Sequence, residues 1–163
     1  MTWLPLYRHM ADAAGVAGLL FHEWLSEGER HLIESGLSDP DQAHHLVRFL
    51  AAIHDFGKGI PLFQAKAKAF VPDDLDEMLL DHLQAQGLPL VPHANFSDAS
   101  MTPHALATQT LLLKAGCNPA IAAILGAHHG RPTDSTSLSS DPIGTYPMHF
   151  YLNEAGKSAW SSV

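Results

Sequence analysis

Apolar residues recur at three- to four-residue intervals along almost the whole chain, which is the spacing of helices that bury one face. One such stripe runs from about Leu6 to Leu25, and another follows Asp39 and ends at Asp55. No run of strictly alternating apolar and polar residues is long enough to predict a strand. The pattern therefore predicts an all-α domain.

Helix start and stop signals predict further helices after these two. Proline near a helix start and glycine after its end are the clearest of these signals. The predicted segments are Ile60 to Phe70, Asp73 to Gln86, Pro103 to Gly116, Pro119 to Gly130 and, with a weaker pattern, Met148 to Trp160. Residues 131–147 are rich in Ser, Thr, Asp, Pro and Gly, so we predict an exposed, mobile loop there.

The composition narrows the class of protein. The chain has 163 residues, which suits one domain, and 9 basic against 17 acidic residues give a net charge of −8. This balance excludes a broad basic surface as the main source of nucleic-acid affinity. The single cysteine, Cys117, excludes an internal disulfide and a cysteine-based zinc site. Since the sequence shows no membrane span or leader pattern, we expect a cytoplasmic protein without membrane contact.

Histidine is unusually common in this chain, with 12 residues, and several histidines continue the apolar stripes. Each of these lies three or four residues from an apolar stripe position, or next to such a histidine, and so near the buried face of a predicted helix. They are His9, His54, His104 and the adjacent pair His128 and His129, and Asp55 follows His54 directly. Four predicted helices thus direct imidazoles toward one interior.

These side chains together favour a metal site. Burying five imidazoles and the Asp55 carboxylate without partners would cost roughly 1–3 kcal/mol for each unsatisfied group. Histidine and carboxylate ligands suit divalent iron, manganese, cobalt or nickel, with zinc as a further candidate. Six groups exceed one tetrahedral site, and an aspartate can bridge two ions. A pair of ions that clamps a phosphodiester hydrolyses phosphoesters, so we expect two divalent transition-metal ions and that chemistry.

Each residue also has a simpler interpretation. A single histidine at a stripe end is more often a hydrogen-bonded core residue, or complements the dipole at the end of a helix. It is the conjunction of all six groups that favours metal. Lys58, four residues after His54, either holds a substrate phosphate or is a solvated lysine, and His82 competes with His104 as a ligand because it shares a face with Met78 and Leu79. The remaining histidines are interpreted as structural or surface residues, and Trp3, Trp24 and Phe49 as core or domain-contact residues rather than a base-stacking platform.

Four short motifs give the chain a family resemblance. They are HDFGK at 54–58, PLFQ at 61–64, PHALAT at 103–108 and AHHG at 127–130. Together with His9, this ordered set resembles the HD nuclease domain of the CRISPR-associated helicase-nuclease of type I interference systems, within the HD-domain metal-dependent phosphohydrolase superfamily. The resemblance implies a compact helical bundle with a metal site between helices, spanning residues 1–163 as a single HD-type domain.

The resemblance also implies roles for individual residues. His9, His54 and Asp55 bind one metal ion, and Asp55 bridges to a second ion held by His104, His128 and His129, with Lys58 near the scissile phosphate. The implied activity is endonucleolytic cleavage of single-stranded DNA in CRISPR antiviral defence. The implied partners are a guide-RNA surveillance complex and a helicase domain in the same full-length chain.

One departure from the family pattern concerns a further aspartate. The family usually supplies it from a late helix in an Ala-Asp-Trp-like context, and no such motif follows the paired histidines here. Asp134 and Asp141, in the predicted loop, are poor substitutes. We therefore expect an N-terminal fragment of a longer helicase-nuclease. Two alternatives stay open: an HD phosphohydrolase that acts on nucleotides, and an inactive docking module that binds a surveillance complex.

Overall fold

The computed structural model describes residues 4–65, 73–91, 95–133 and 141–162, and this part of the chain is all-α, as predicted. The α-helices of this part are α1 (Leu6–Glu23), α2 (Glu27–Ser35), α3 (Ala43–Ile53), α4 (Pro61–Gln64), α5 (Asp73–Ala85), α6 (His104–Lys114), α7 (Pro119–Gly126), α8 (Pro142–Thr145), α9 (Pro147–Tyr151) and α10 (Glu154–Trp160). Short 3-10 turns lie at Pro40–Gln42, Phe56–Gly59 and Ala99–Met101. None of the described helices is long and apolar enough to cross a membrane.

The chain divides into two compact units, residues 1–55 and 56–163. In the first unit α1 packs against α3. The two helices run antiparallel, because His9 near the start of α1 contacts Asp55 just after α3, while His22 near the end of α1 contacts His44 near the start of α3. Gly18 is buried in this interface, so the side chains of α3 can lie directly against the backbone of α1.

Helix α2 was not predicted from the sequence. Six of its nine residues are exposed, Arg30, Ile33 and Glu34 are half-buried, and none is fully buried, so its apolar signal is weak. Its start does have a signal, a capping box in which Ser26 Oγ accepts from the Glu29 backbone N–H and the Glu29 carboxylate accepts from the Ser26 N–H. The Ser26 hydroxyl also donates to the Glu29 carboxylate at 2.8 Å, and this hydrogen bond, together with the one from the Ser26 N–H, lowers the pKa of Glu29.

The second unit is built around α6, in which residues 105–110 are all buried. A helix that is buried on every side shows little contrast between apolar and polar faces. The proline before this helix and the glycine after it nevertheless predicted its ends to within two residues. The surrounding core is apolar and largely aromatic, with Leu62, Phe96, Phe150 and Trp160 among its buried members. The indole of Trp160 donates to the carbonyl of Pro89 at 2.8 Å, which connects α10 to the segment after α5.

Several predicted boundaries were wrong. Helix α7 ends at Gly126 rather than near Gly130, so the paired histidines follow the helix instead of lying on it. The last predicted helix is two helices, α9 and α10, because Leu152 between them adopts a φ of 68°. The predicted helix from Ile60 is observed only as α4, and residues 66–70 lie outside the described part of the chain.

Two further expectations concern the loop and the aromatic residues. Within residues 131–147 the structure contains α8, residues 134–140 lie outside the described part, and the mobility of this loop stays a prediction. Trp24 and Phe49 were interpreted as core or domain-contact residues. A place in the core is wrong for both, because their side chains are 82% and 47% exposed, and a role in contact with another domain stays a prediction. Trp3 lies outside the described residues.

Candidate metal centre

Three of the predicted ligands, His9, His54 and Asp55, lie together in the first unit, and we call them the first ligand group. Their candidate ligand atoms all lie within 4.8 Å of one another. His9 Nε2 is 2.8 Å and His54 Nε2 is 3.1 Å from the same oxygen, Asp55 Oδ2. Helix α1 supplies the first imidazole, and the end of α3 supplies the second imidazole and the carboxylate. Residues 45 positions apart in sequence thus converge on one point.

The environment of the first ligand group suits a divalent cation. His54 Nδ1 donates to the carbonyl of Ala51 at 2.8 Å, so the neutral ring offers its Nε2 lone pair toward Asp55. Asp55 is only 3% exposed, and a buried carboxylate requires a positive charge nearby. Two imidazole nitrogens and one carboxylate oxygen form a donor set that borderline divalent metals prefer.

The other three predicted ligands, His104, His128 and His129, lie together in the second unit, and we call them the second ligand group. His104 begins α6, and the paired histidines occupy the turn after α7. His104 Nε2 is 3.2 Å from His128 Nε2 and 2.8 Å from His129 Nε2. Three ring nitrogens therefore converge, and the group contains no carboxylate.

The protonation of these rings explains why a cation fits the second ligand group. His128 Nδ1 donates to the carbonyl of Leu125 at 2.6 Å, so its neutral ring directs a lone pair from Nε2 toward His104. When all three rings are neutral and carry their proton on Nδ1, their Nε2 lone pairs are available to a single ion at the point where they converge. The donor chemistry of the residues thus fits a divalent transition metal.

Two close backbone approaches position the second ligand group. The Gly57 N–H donates to Thr108 Oγ1 at 2.8 Å, and a Cβ at Gly57 would collide with the carbonyl oxygen of His104 and lie 2.6 Å from Thr108 N. The turn after the HD dipeptide therefore packs directly on the first turn of α6. Likewise a Cβ at Gly126 would collide with the side chain of Gln109, so this glycine permits α7 to lie close to α6.

Lys58 lies in the second unit, in the neighbourhood of His104. Its Nζ lies 5.7 Å from the centroid of the Phe63 ring, and that ring lies 5.5 Å from the imidazole of His104. Gln64 Nε2 donates to the carbonyl of Lys58 at 2.6 Å, which fixes the turn that carries the lysine. The Lys58 ammonium and the His104 imidazole thus lie near the same aromatic ring.

The structure also places the competing residues. His82 is exposed on α5 and belongs to neither ligand group. Asp141 is exposed at the start of α8, while Asp134 and His93 lie outside the described part. His149 is 2% exposed, with Nδ1 2.7 Å from Thr102 Oγ1 and Nε2 2.8 Å from the carbonyl of Ser97, so it is a structural histidine of the core.

Comparisons with known proteins bear on the chemistry of these groups. A family model described as Cas3, HD domain, matches residues 1–161. The CRISPR-associated nuclease/helicase Cas3 of Streptococcus thermophilus is 37% identical over 159 residues, which cover 94% of this chain and 17% of that protein. The chain thus spans about a sixth of the length of this curated relative. The comparison with solved structures gave no match.

Proposed function

Because the chain belongs to the Cas3 HD-domain family, we propose that it is a metal-dependent endonuclease that hydrolyses phosphodiester bonds of single-stranded DNA in CRISPR antiviral defence. The observation that supports this proposal most strongly is the presence of two ligand groups, one with two imidazoles and a buried carboxylate and the other with three imidazoles. Family membership by itself implies a nuclease domain that uses divalent metal. The single-stranded substrate and the endonucleolytic cut go beyond what family membership implies, and both are part of this proposal.

Two divalent transition-metal ions are proposed, one for each ligand group. His9, His54 and Asp55 would hold one ion, and His104, His128 and His129 would hold the other. Bound divalent ions polarise phosphoryl oxygens and lower the pKa of water, so hydrolysis proceeds near neutral pH without a side-chain nucleophile. Iron, manganese, cobalt and nickel suit these ligands, with zinc as a further candidate. The bridging role of Asp55 stays a prediction.

The side chains themselves have distinct tasks in this proposal. The Asp55 carboxylate supplies the negative charge of the first ligand group, and His54 is oriented by its hydrogen bond to Ala51. The Lys58 ammonium binds a non-bridging oxygen of the scissile phosphate and offsets charge that develops there. With a net charge of −8, the chain holds DNA locally, and Arg131 is a further candidate for such a contact.

The partners of the whole protein are also proposed. The Streptococcus thermophilus relative is named a nuclease/helicase, so we propose that a helicase domain in the same full-length chain feeds the strand to this domain. A guide-RNA surveillance complex would displace that strand from duplex DNA in the cytoplasm. Residues 1–163 would then act as the nuclease module of the longer protein.

Cleavage of a circular single-stranded DNA tests the proposal. The chain is incubated with manganese, cobalt, nickel or a chelator, and nucleoside triphosphates and cyclic nucleotides serve as competing substrates. Metal-dependent linearisation of the circle is expected, since a circle has no ends for an exonuclease. Faster hydrolysis of free nucleotides than of DNA would contradict the DNA assignment, and folded protein without turnover under any metal would favour a docking role.

A further inference from the structure

A second cluster of histidines lies at the end of the α1 and α3 pair that is remote from the first ligand group. The rings of His22 and His44 have centroids 4.4 Å apart, and those of His44 and His45 are 5.5 Å apart. Arg48 lies beside them, since a Cβ at Gly18 would be 3.0 Å from Arg48 Cδ and 3.2 Å from His44 Nε2. We call His22, His44, His45 and Arg48 the histidine patch.

The histidine patch has no acidic partner. None of its members forms an ion pair with a carboxylate in the part of the chain that the structure describes. His22, His45 and Arg48 are exposed, and His44 is half-buried. Guanidinium and protonated imidazole groups offer only N–H donors, so their natural ligand is an anion.

The charged groups around His44 come from three elements. His45 and Arg48 share α3 with it, and His22 faces it from α1. Arg30 of α2 donates to the carbonyls of His22 and Leu25, at 3.1 and 2.8 Å, and so adds a further cation at the end of α1. Burial, and after it the nearby His22, Arg48 and His45, lowers the pKa of His44. The neighbouring acids, Glu23 and Asp41, are exposed and pair with none of the four.

We propose that the histidine patch binds a phosphate of the DNA strand, and that it holds the strand at one end of α3 while the first ligand group acts at the other end. This inference rests on the proposed nuclease function. His44 and His54 are ten residues apart, which is about 15 Å along a helix. That length corresponds to about four stacked nucleotides at 3.4 Å each. A strand bound at both places therefore needs about this many nucleotides between them.

Binding of short, labelled single-stranded oligonucleotides, with a chelator present, tests the inference without any need for turnover. Fluorescence anisotropy compares the wild-type chain with Arg48→Gln and His44→Gln, on strands of eight and of three nucleotides at about pH 6 and 8. Lys157→Gln, which removes one exposed cation from the second unit, is the matched control. Circular dichroism and the melting temperature show whether each variant is folded.

Arg48→Gln should weaken binding of the eight-nucleotide strand about tenfold at pH 6, the effect of losing one hydrogen bond to a charged group. Binding by the wild type should strengthen from pH 8 to 6, because a bound phosphate favours the protonated form of His44, and the control should match the wild type. Equal affinity of wild type and Arg48→Gln for the long strand would overturn the inference.

Two further outcomes separate this inference from the proposed function. If inorganic phosphate binds as tightly as the long strand and length adds nothing, the patch is a free-anion site, and its role in strand placement is wrong. A wild-type chain that cuts DNA while Arg48→Gln binds it normally would overturn the inference and leave the nuclease proposal intact. If Arg48→Gln weakens DNA binding by a chain that never cuts DNA, the nuclease proposal is overturned and the binding of DNA by the histidine patch stands.

Discussion

The two ligand groups contain the same number of ligands but differ in charge. With neutral imidazoles, the first ligand group carries the charge of Asp55, which is 3% exposed, whereas the second consists of three uncharged rings, and its His129 is exposed. A divalent ion would therefore be attracted to the first ligand group by charge, but would depend at the second on how well three nitrogens are positioned. We therefore expect substitution of the carboxylate to weaken metal binding at the first ligand group. Substitution at a packing position should instead disturb the second ligand group.

The first prediction removes the charge that distinguishes the groups. Asp55→Asn keeps the size of the side chain, and we expect metal affinity at the first ligand group to fall more than about 100-fold, because loss of an outer-shell partner alone costs 10–100-fold. Isothermal titration with Mn²⁺ measures this loss, and Asp12→Asn, an exposed carboxylate on α1, is the control. Unchanged metal affinity in Asp55→Asn would contradict the claim that the charge of Asp55 distinguishes the two ligand groups.

The second prediction removes the packing that positions the second ligand group. In Gly57→Ala the new methyl group meets the backbone of His104 and Thr108, so we expect the free energy of unfolding to fall by about 1–3 kcal/mol. Urea unfolding measures the change. Gly28→Ala is the control, because a Cβ there meets nothing within 4 Å. Equal stability of the two variants would contradict the close packing of the turn Phe56–Gly59 against α6.

The third prediction concerns a helix of the first unit that carries no ligand. Ser26→Ala removes the capping box of α2, which should lower the free energy of unfolding by about 1 kcal/mol. Metal affinity of both ligand groups should stay unchanged, since they lie on other elements. Ser100→Ala, at an exposed serine, provides the comparison for thermal unfolding. Loss of metal binding in Ser26→Ala would show that the first ligand group depends on α2 as well.

The fourth prediction is the smallest and concerns pH. Because the folded chain lowers the pKa of His44 below its ordinary value of 6.5, the unfolded chain takes up a proton there first as the pH falls. The contribution of His44 to the stability is therefore fully present above pH 6.5 and is lost as the pH falls below this value. His44→Gln should reduce this decline of the melting temperature between about pH 7.5 and 5.5. An identical pH dependence in wild type and variant would contradict the lowered pKa of His44.

The ligand groups could be predicted from sequence because each ligand lies at or next to a helix end with its own signal. His104 follows Pro103, and His54 completes the stripe of α3. The capping box at Ser26 was also present in the sequence, but α2 buries no residue fully, so the apolar pattern alone missed it.

Other features depend on contacts between distant residues and could not be predicted. The contact of His22 with His44 arises from the antiparallel packing of α1 on α3, which no local pattern encodes. The close approach of Gly126, the last residue of α7, to the side chain of Gln109 is another such contact. The exposure of Trp24 was missed because an aromatic residue at the end of a helical stripe usually indicates a core.

Cleavage of circular single-stranded DNA by Asp55→Ala, beside the wild type and Asp12→Ala, tests the central claim most directly. The account predicts that the wild type and Asp12→Ala linearise the circle when manganese, cobalt or nickel is present. It predicts that Asp55→Ala does not, although its circular dichroism shows the same helical content. Equal cleavage by Asp55→Ala would contradict the claim that the first ligand group holds a metal ion needed for hydrolysis.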